Sequence, residues 1–174
     1  MVQRREPRSV GPRRARSDAQ GRAQRPRSSR ALWRCPKCGR TFANRNQTHT
    51  CGTVRPLAEH FVGKPATVRA LFNRVYAAVK ECGPVTVLPE KSRIAFHVRM
   101  SFMAISVQKT GLRGHFVFAS VDRHPRFVRI QTFSPRNHVH EFRVTALADI
   151  DATFEAWVAK AYAVGQQRHL LHAL

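Results

Sequence analysis

The stretch Pro65-Ala-Thr-Val-Arg-Ala-Leu-Phe-Asn-Arg-Val-Tyr-Ala-Ala-Val-Lys-Glu-Cys-Gly-Pro-Val-Thr-Val-Leu88 contains the change of period that decides the fold. Up to Glu81 the apolar residues Val68, Leu71, Phe72, Val75, Tyr76 and Val79 fall three or four apart, one continuous helical stripe. Gly83-Pro84 stops that helix. Beyond it alternation takes over. Val85–Leu88, Ile94–Met100, Met103–Gln108, His115–Ala119, Phe127–Phe133 and His138–Val144 each read as a strand.

Turn chemistry fills the gaps: Pro89-Glu-Lys-Ser92, Lys109-Thr-Gly111, Asp122-Arg-His-Pro125 and Ser134-Pro-Arg-Asn137. Connections this short predict antiparallel neighbours in a meander. A last helix over 147–164 presents Ile150, Phe154, Trp157, Val158 and Tyr162 at helical spacing, with Asp149 and Asp151 at its positive end. A short helix over 56–62 precedes the main one, with Pro56 in its first turn. The predicted fold is α+β: an antiparallel sheet of five to six strands flanked by an N-terminal and a C-terminal helix. It occupies residues 56–170, behind a small zinc-binding module at 32–55 and a disordered Arg-rich tail at 1–31.

The module is read from its ligands. Cys35-Pro-Lys-Cys38-Gly39 is a knuckle, in which two thiolates separated by two residues reach one metal and Gly39 permits the tight turn. His49 and Cys51, placed i and i+2 on an extended segment, leave one face together and close the tetrahedron. His60 is the reserve for the fourth position. Four protein ligands leave no open coordination site, so the expected Zn2+ is structural rather than catalytic. Between Trp33 and Gly52 too few apolar residues exist to hold a fold without it. Cys82 follows the helical stripe and reads as a small buried residue rather than a reactive thiol.

Charge narrows the partners. The 174 residues carry 31 Lys and Arg against 10 Asp and Glu, a net of +21. Residues 1–30 hold ten Arg with one Asp and one Glu, yet the remaining residues stay strongly basic. The tail has almost nothing to bury and reads as a solvated tail, or as translation from an upstream start, in preference to a polyanion-binding arm. A basic surface attracts polyanions, so DNA or RNA is the first expected partner. Arg34, Lys37, Arg40 and Arg45, around the metal, are its expected contacts.

The strands suggest a second site. Arg93, His97 and Arg99 share a parity, while His138 and His140 share one with Phe142. If the registers agree, Arg93, His97, Arg99 and His140 gather on one sheet face that suits a small anionic ligand or a phosphate backbone. His138-x-His140 is also a candidate metal pair, and the bland alternative is a solvated polar face. Three functions therefore compete: a nucleic-acid-binding accessory protein, a binder of (or enzyme on) a small anionic ligand, and a protein–protein adaptor. No phosphate loop, nucleophile elbow or HExxH motif occurs, so no catalytic residues are assigned. No run of 18 apolar residues occurs to span a membrane. Clustered, reduced cysteines point to the cytoplasm.

Cys35-Pro-Lys-Cys-Gly-Arg-Thr-Phe42, Asn46-Gln-Thr-His-Thr-Cys-Gly52, Gly83-Pro-Val-Thr86, Lys91-Ser-Arg-Ile-Ala-Phe96 and Ser134-Pro-Arg136 together resemble the bacterial family called domain of unknown function 5655. The resemblance covers about residues 32–170 and leaves the Arg-rich tail outside it. It implies an α+β domain, often preceded by this knuckle, and it carries over no catalytic residues.

Overall fold

A computed structural model describes residues 32–42, 45, 49, 51 and 55–170. The Arg-rich tail predicted at 1–31 lies outside the described residues. Two short strands, β1 (Trp33–Arg34) and β2 (Thr41–Phe42), pair antiparallel on either side of the Cys35–Cys38 turn. A 3-10 turn at Leu57–Phe61 leads into helix α1 (Ala66–Glu81), whose stripe Val68, Leu71, Phe72, Val75 and Val79 is buried.

Six strands follow: β3 (Thr86–Pro89), β4 (Ile94–His97), β5 (Ser101–Val107), β6 (Leu112–Phe118), β7 (Phe127–Ser134) and β8 (Asn137–Val144). Helix α2 (Ala152–Gly165) closes the domain. Its Asp151 caps the first turn by accepting the Phe154 N–H at 2.9 Å. The single helix expected over 147–164 is split. Asp149 accepts the N–H groups of Thr145 and Ala146 at 2.7 and 2.9 Å, which closes a separate 3-10 turn at Leu147–Asp149 before the Asp151 cap.

The sheet order is β3-β4-β5-β6-β8-β7, and every neighbouring pair is antiparallel. The expected meander therefore holds from β3 to β6 and then fails. β8 inserts between β6 and β7, which run parallel because both oppose β8. The segment 119–126 must cross β8 to join them. Asp122, within it, donates its backbone N–H to Nε2 of His140 on β8 at 2.9 Å and accepts Lys160 of α2 at 2.7 Å. The crossing thus lies on the helix side of the sheet. Burial explains the order: β8 alternates buried His138, His140, Phe142 and Val144, whereas β7 is largely exposed and takes the edge.

One sheet face packs on both helices. Ile94, Phe96, Met103, Ile105, Leu112, Phe116, Phe118, Phe142 and Val144 meet the α1 stripe and Phe154, Trp157, Val158 and Tyr162 of α2. Phe116 is fully buried among the rings of Phe118, Phe142, Phe154 and Trp157. β4 stops at His97, not at Met100, because a register shift follows Phe96 and the backbone N–H groups of Arg99 and Met100 both turn to the Gly165 carbonyl of α2. No described helix is long and apolar enough to cross a membrane.

Candidate functional site

The four predicted ligands converge. Ligand atoms of Cys35, Cys38, His49 and Cys51 all lie within 4.8 Å of one another, so the group could hold a metal ion. Cys35 Sγ and Cys51 Sγ are 3.7 Å apart. A disulfide needs ~2.05 Å, whereas thiolates ~2.3 Å from a tetrahedral metal stand about 3.8 Å apart. The same His49 nitrogen, Nε2, approaches Cys38 Sγ at 3.3 Å and Cys51 Sγ at 3.1 Å, so it stands where a fourth donor to a shared ion would. His60 is not in the group.

The surroundings favour thiolate. Arg40 donates Nε–H to Cys38 Sγ at 3.4 Å, and this hydrogen bond, with the Arg40 backbone N–H, pulls the Cys38 thiol down to about 6. Burial works against ionisation of Cys35, but the backbone N–H groups of Cys38 and Lys37 bring its thiol below the ordinary value. Burial, together with its cysteine neighbours, pushes Cys51 up. A bound cation would supply the charge that lets all three ionise. Behind the ligands, the His49 ring packs on Phe42 with centroids 4.1 Å apart and meets the edge of Trp33.

The β1–β2 hairpin docks on the sheet through His97. Nε2–H of His97 donates to the Thr41 carbonyl at 3.0 Å, its ring meets Phe42 edge-on, and Nδ1 accepts from the Ser101 hydroxyl at 3.3 Å. Burial holds this imidazole below its usual pKa and so neutral. Arg40 lies 3.9 Å from Glu90, and the Arg55 N–H donates to the Pro89 carbonyl, which adds two further ties to β3 and the turn after it.

Arg93, His97, Arg99 and His140 do not form one site. Arg93 and His97 lie on the outer sheet face, away from the helices, but His97 is occupied by the hairpin and Arg93 bonds Glu90 at 2.7 Å. Arg99 falls in the irregular segment after β4 and bonds Gln167 Oε1 at 3.2 Å. His140 is on the opposite, core face, fully buried between the Phe118 and Phe127 rings. Its Nε2 accepts from Asp122 and its Nδ1–H donates to the His138 carbonyl, so it stays neutral and part of the core. Both nitrogens of His138 are likewise taken, by Thr132 and the Pro135 carbonyl, which removes His138-x-His140 as a metal pair. The register is the reason: His140 pairs with Phe116, a core residue, whereas Arg93 and His97 have the outer parity. Around the cysteine–histidine cluster, Arg34, Lys37 and Arg45 are exposed, while Arg40 is engaged with Cys38 and Glu90. Cys82 is half-buried, donates to the Ala78 carbonyl at 3.5 Å, and has its thiol pushed up by burial.

Other residues populate the outer face. One row across the strands reads Leu88, Ala95, Ala104, His115, Glu141, Arg129. The next places Ser106 opposite Arg113 and Arg113 opposite Arg143. Two guanidinium groups directly across a strand pair repel. Glu141 bonds Arg113 at 2.6 Å, but Arg129 and Arg143 are exposed and pair with no acid among the described residues. His115 lies between them, half-buried and without a hydrogen bond to a described residue. Burial, then the nearby Arg93 charge, lowers its pKa to about 4 against the opposing pull of Glu141. The sequence reading missed Arg113 because it began this strand at His115. The alternation Leu112-Arg-Gly-His115-Phe-Val-Phe118 carries the signal.

His115 gives a pH prediction. Between pH ~6.5 and ~4 the unfolded chain holds a proton here that the folded chain does not, so stability falls as pH falls through that window. The loss should approach roughly 3 kcal/mol by pH ~4, read by urea unfolding, and His115→Gln should flatten it. An equally steep dependence in that variant would assign the effect elsewhere.

No curated protein and no solved structure matches the chain. A family model described as domain of unknown function (DUF5655) matches residues 57–165, from the 3-10 turn through α2, a span that includes the whole six-stranded sheet but not the metal-ligand cluster. The chain belongs to that family.

Proposed function

We propose that Cys35, Cys38, His49 and Cys51 hold one structural zinc ion, and that the protein is a cytoplasmic accessory protein that binds nucleic acid through its basic surface. The donor set, three thiolates and one imidazole in a closed tetrahedron, is that of structural zinc. Thiolates of this kind persist in a reducing compartment. The observation that carries the nucleic-acid reading is the outer sheet face. Arg113, Arg129 and Arg143 stand there around one carboxylate, and the exposed Arg34, Lys37 and Arg45 lie in or beside the hairpin that docks on the same sheet. Clustered guanidinium groups with too few acids bind phosphate by releasing its counterions.

The test is fluorescence anisotropy with labelled DNA and RNA oligonucleotides and the full chain at about 50 mM salt, repeated at rising salt. Binding that weakens steeply with salt is expected, and substitution of Arg129 by Gln should weaken it for every sequence alike. Absence of binding at about 50 mM salt sinks the reading.

A further inference from the structure

Two clefts lie side by side on the basic face and share Arg113 and Gln108. The first, about 310 Å³, is lined by Thr110, Gly111, Arg113, Arg143 and Thr145 and contains no carboxylate. The second, about 300 Å³, is lined by Arg93, Ser106, Arg113, His115 and Glu141 over a floor of Ala104 and Gly114. Both are at the small end for ligand sites, room for one compact group each.

Their chemistry differs in a way that selects different groups. The first offers two guanidinium groups brought together by the Arg113–Arg143 register, Arg113 with donors to spare beyond its bond to Glu141, and the Thr110 hydroxyl beside them, that of Thr145 being donated to Asp149. An oxyanion with several acceptor oxygens would relieve the repulsion of that pair and accept from both. The second is unsuited to an anion, because Glu141 projects its carboxylate there. A carboxylate, a hydroxyl and an uncharged imidazole with no hydrogen-bond partner can instead meet the mixed donors and acceptors of a base edge, and a carboxylate accepts amino N–H groups.

We propose that the two clefts form one nucleotide site, with a phosphate seated between Arg113 and Arg143 and the attached base turned into the cleft of His115 and Glu141. The site rests on the nucleic-acid reading above, and it specifies the ligand as a single strand. Both α-helices pack on the opposite face, so strands and the turns that join them line the clefts and no helix rises from them to enter a duplex groove. A base can enter the second cleft only when it is unpaired. Glu141 further favours the bases that carry an amino group, cytosine, adenine and guanine, over thymine.

The experiment uses the full chain, homopolymeric oligonucleotides of about 12 nucleotides, and a duplex of the same length. Single strands should bind about tenfold more tightly than the duplex. Arg143→Gln should weaken all homopolymers about tenfold and reduce the salt slope by roughly 0.7, one phosphate contact on a single strand. Glu141→Gln removes a negative charge and so strengthens binding generally; the readout is therefore the ratio of oligo-dC to oligo-dT affinity, which should fall several-fold. Unchanged circular dichroism melts certify that the variants fold. If oligonucleotides bind but duplex and single strand bind alike, or both variants leave slope and ratio unchanged, the nucleotide site is wrong and the nucleic-acid reading survives. If no oligonucleotide binds, yet cytidine or adenosine monophosphate raises the melting temperature of the wild type and not of Arg143→Gln, the clefts take a free nucleotide and the nucleic-acid reading falls. If neither binds, both fall.

Discussion

Replacing Cys38 by Ser is expected to melt the Trp33–Phe42 hairpin while the domain 57–165 stays folded. The hairpin has two-residue strands and buries little beyond Cys35 and Phe42, far too little to offset the entropy of ordering its backbone. A structural zinc supplies on the order of 10 kcal/mol, so removing one thiolate removes most of what fixes it. The domain has its own core. Amide exchange separates the two. The Cys35 and Gly39 N–H groups, bonded to the Arg40 and Cys35 carbonyls, should exchange at least about 100-fold faster in the variant, while those of α1 and β6 should not change. Unaltered protection at Cys35 and Gly39 would show that packing, not the metal, holds the hairpin.

The larger effect on the domain is expected at Phe116. This side chain is fully buried where β6 meets β8 and α2, with ring centroids 4.5 Å from Phe142 and 5.3 Å from Phe154. Phe116→Ala opens a cavity among large, rigid rings that cannot collapse into it, at a cost of about 3–5 kcal/mol. That is a large part of the total stability of a domain this size. The urea midpoint should fall by roughly 2–3 M for an m-value near 1.5 kcal/mol/M. A shift below about 0.5 M would mean that the ring cluster repacks, and that the core is looser than its burial indicates.

These two residues also mark how much was legible in the sequence. The α1 stripe and the Cys35–Cys38 knuckle were both readable because their signals are local: a helical period, and ligands held by one turn. The alternation of β4 and β8 was equally plain, yet parity within a strand does not say which face is buried. His140 has the parity of Phe142, and only pairing with Phe116 reveals that this is the core face. A segment that crosses β8 then covers it, and no local signal distinguishes the crossing at 119–126 from a hairpin turn. Arg99 was lost for another reason, since the register shift after Phe96 and the two bonds to the Gly165 carbonyl end the strand early. The role of His97 depends on residues 56 positions apart meeting in space, its ring nitrogen and the Thr41 carbonyl. Arg113 and Arg143 become a pair only through the β6–β8 register.

The hairpin and the sheet are joined at that His97 contact, so in the proposed reading a bound zinc would do more than hold a loose appendage. It would fix Thr41 and Phe42 against His97 and so hold the exposed Arg34 and Lys37 on a hairpin docked to the same sheet. Metal analysis of the purified full chain tests this most directly. One equivalent of zinc per chain is expected, lost in Cys38→Ser and retained when His97 is changed to Ala, because His97 binds the hairpin and not the metal. A chain that purifies without metal, and whose Cys35, Cys38 and Cys51 all react freely with a thiol reagent after zinc is added, would contradict it.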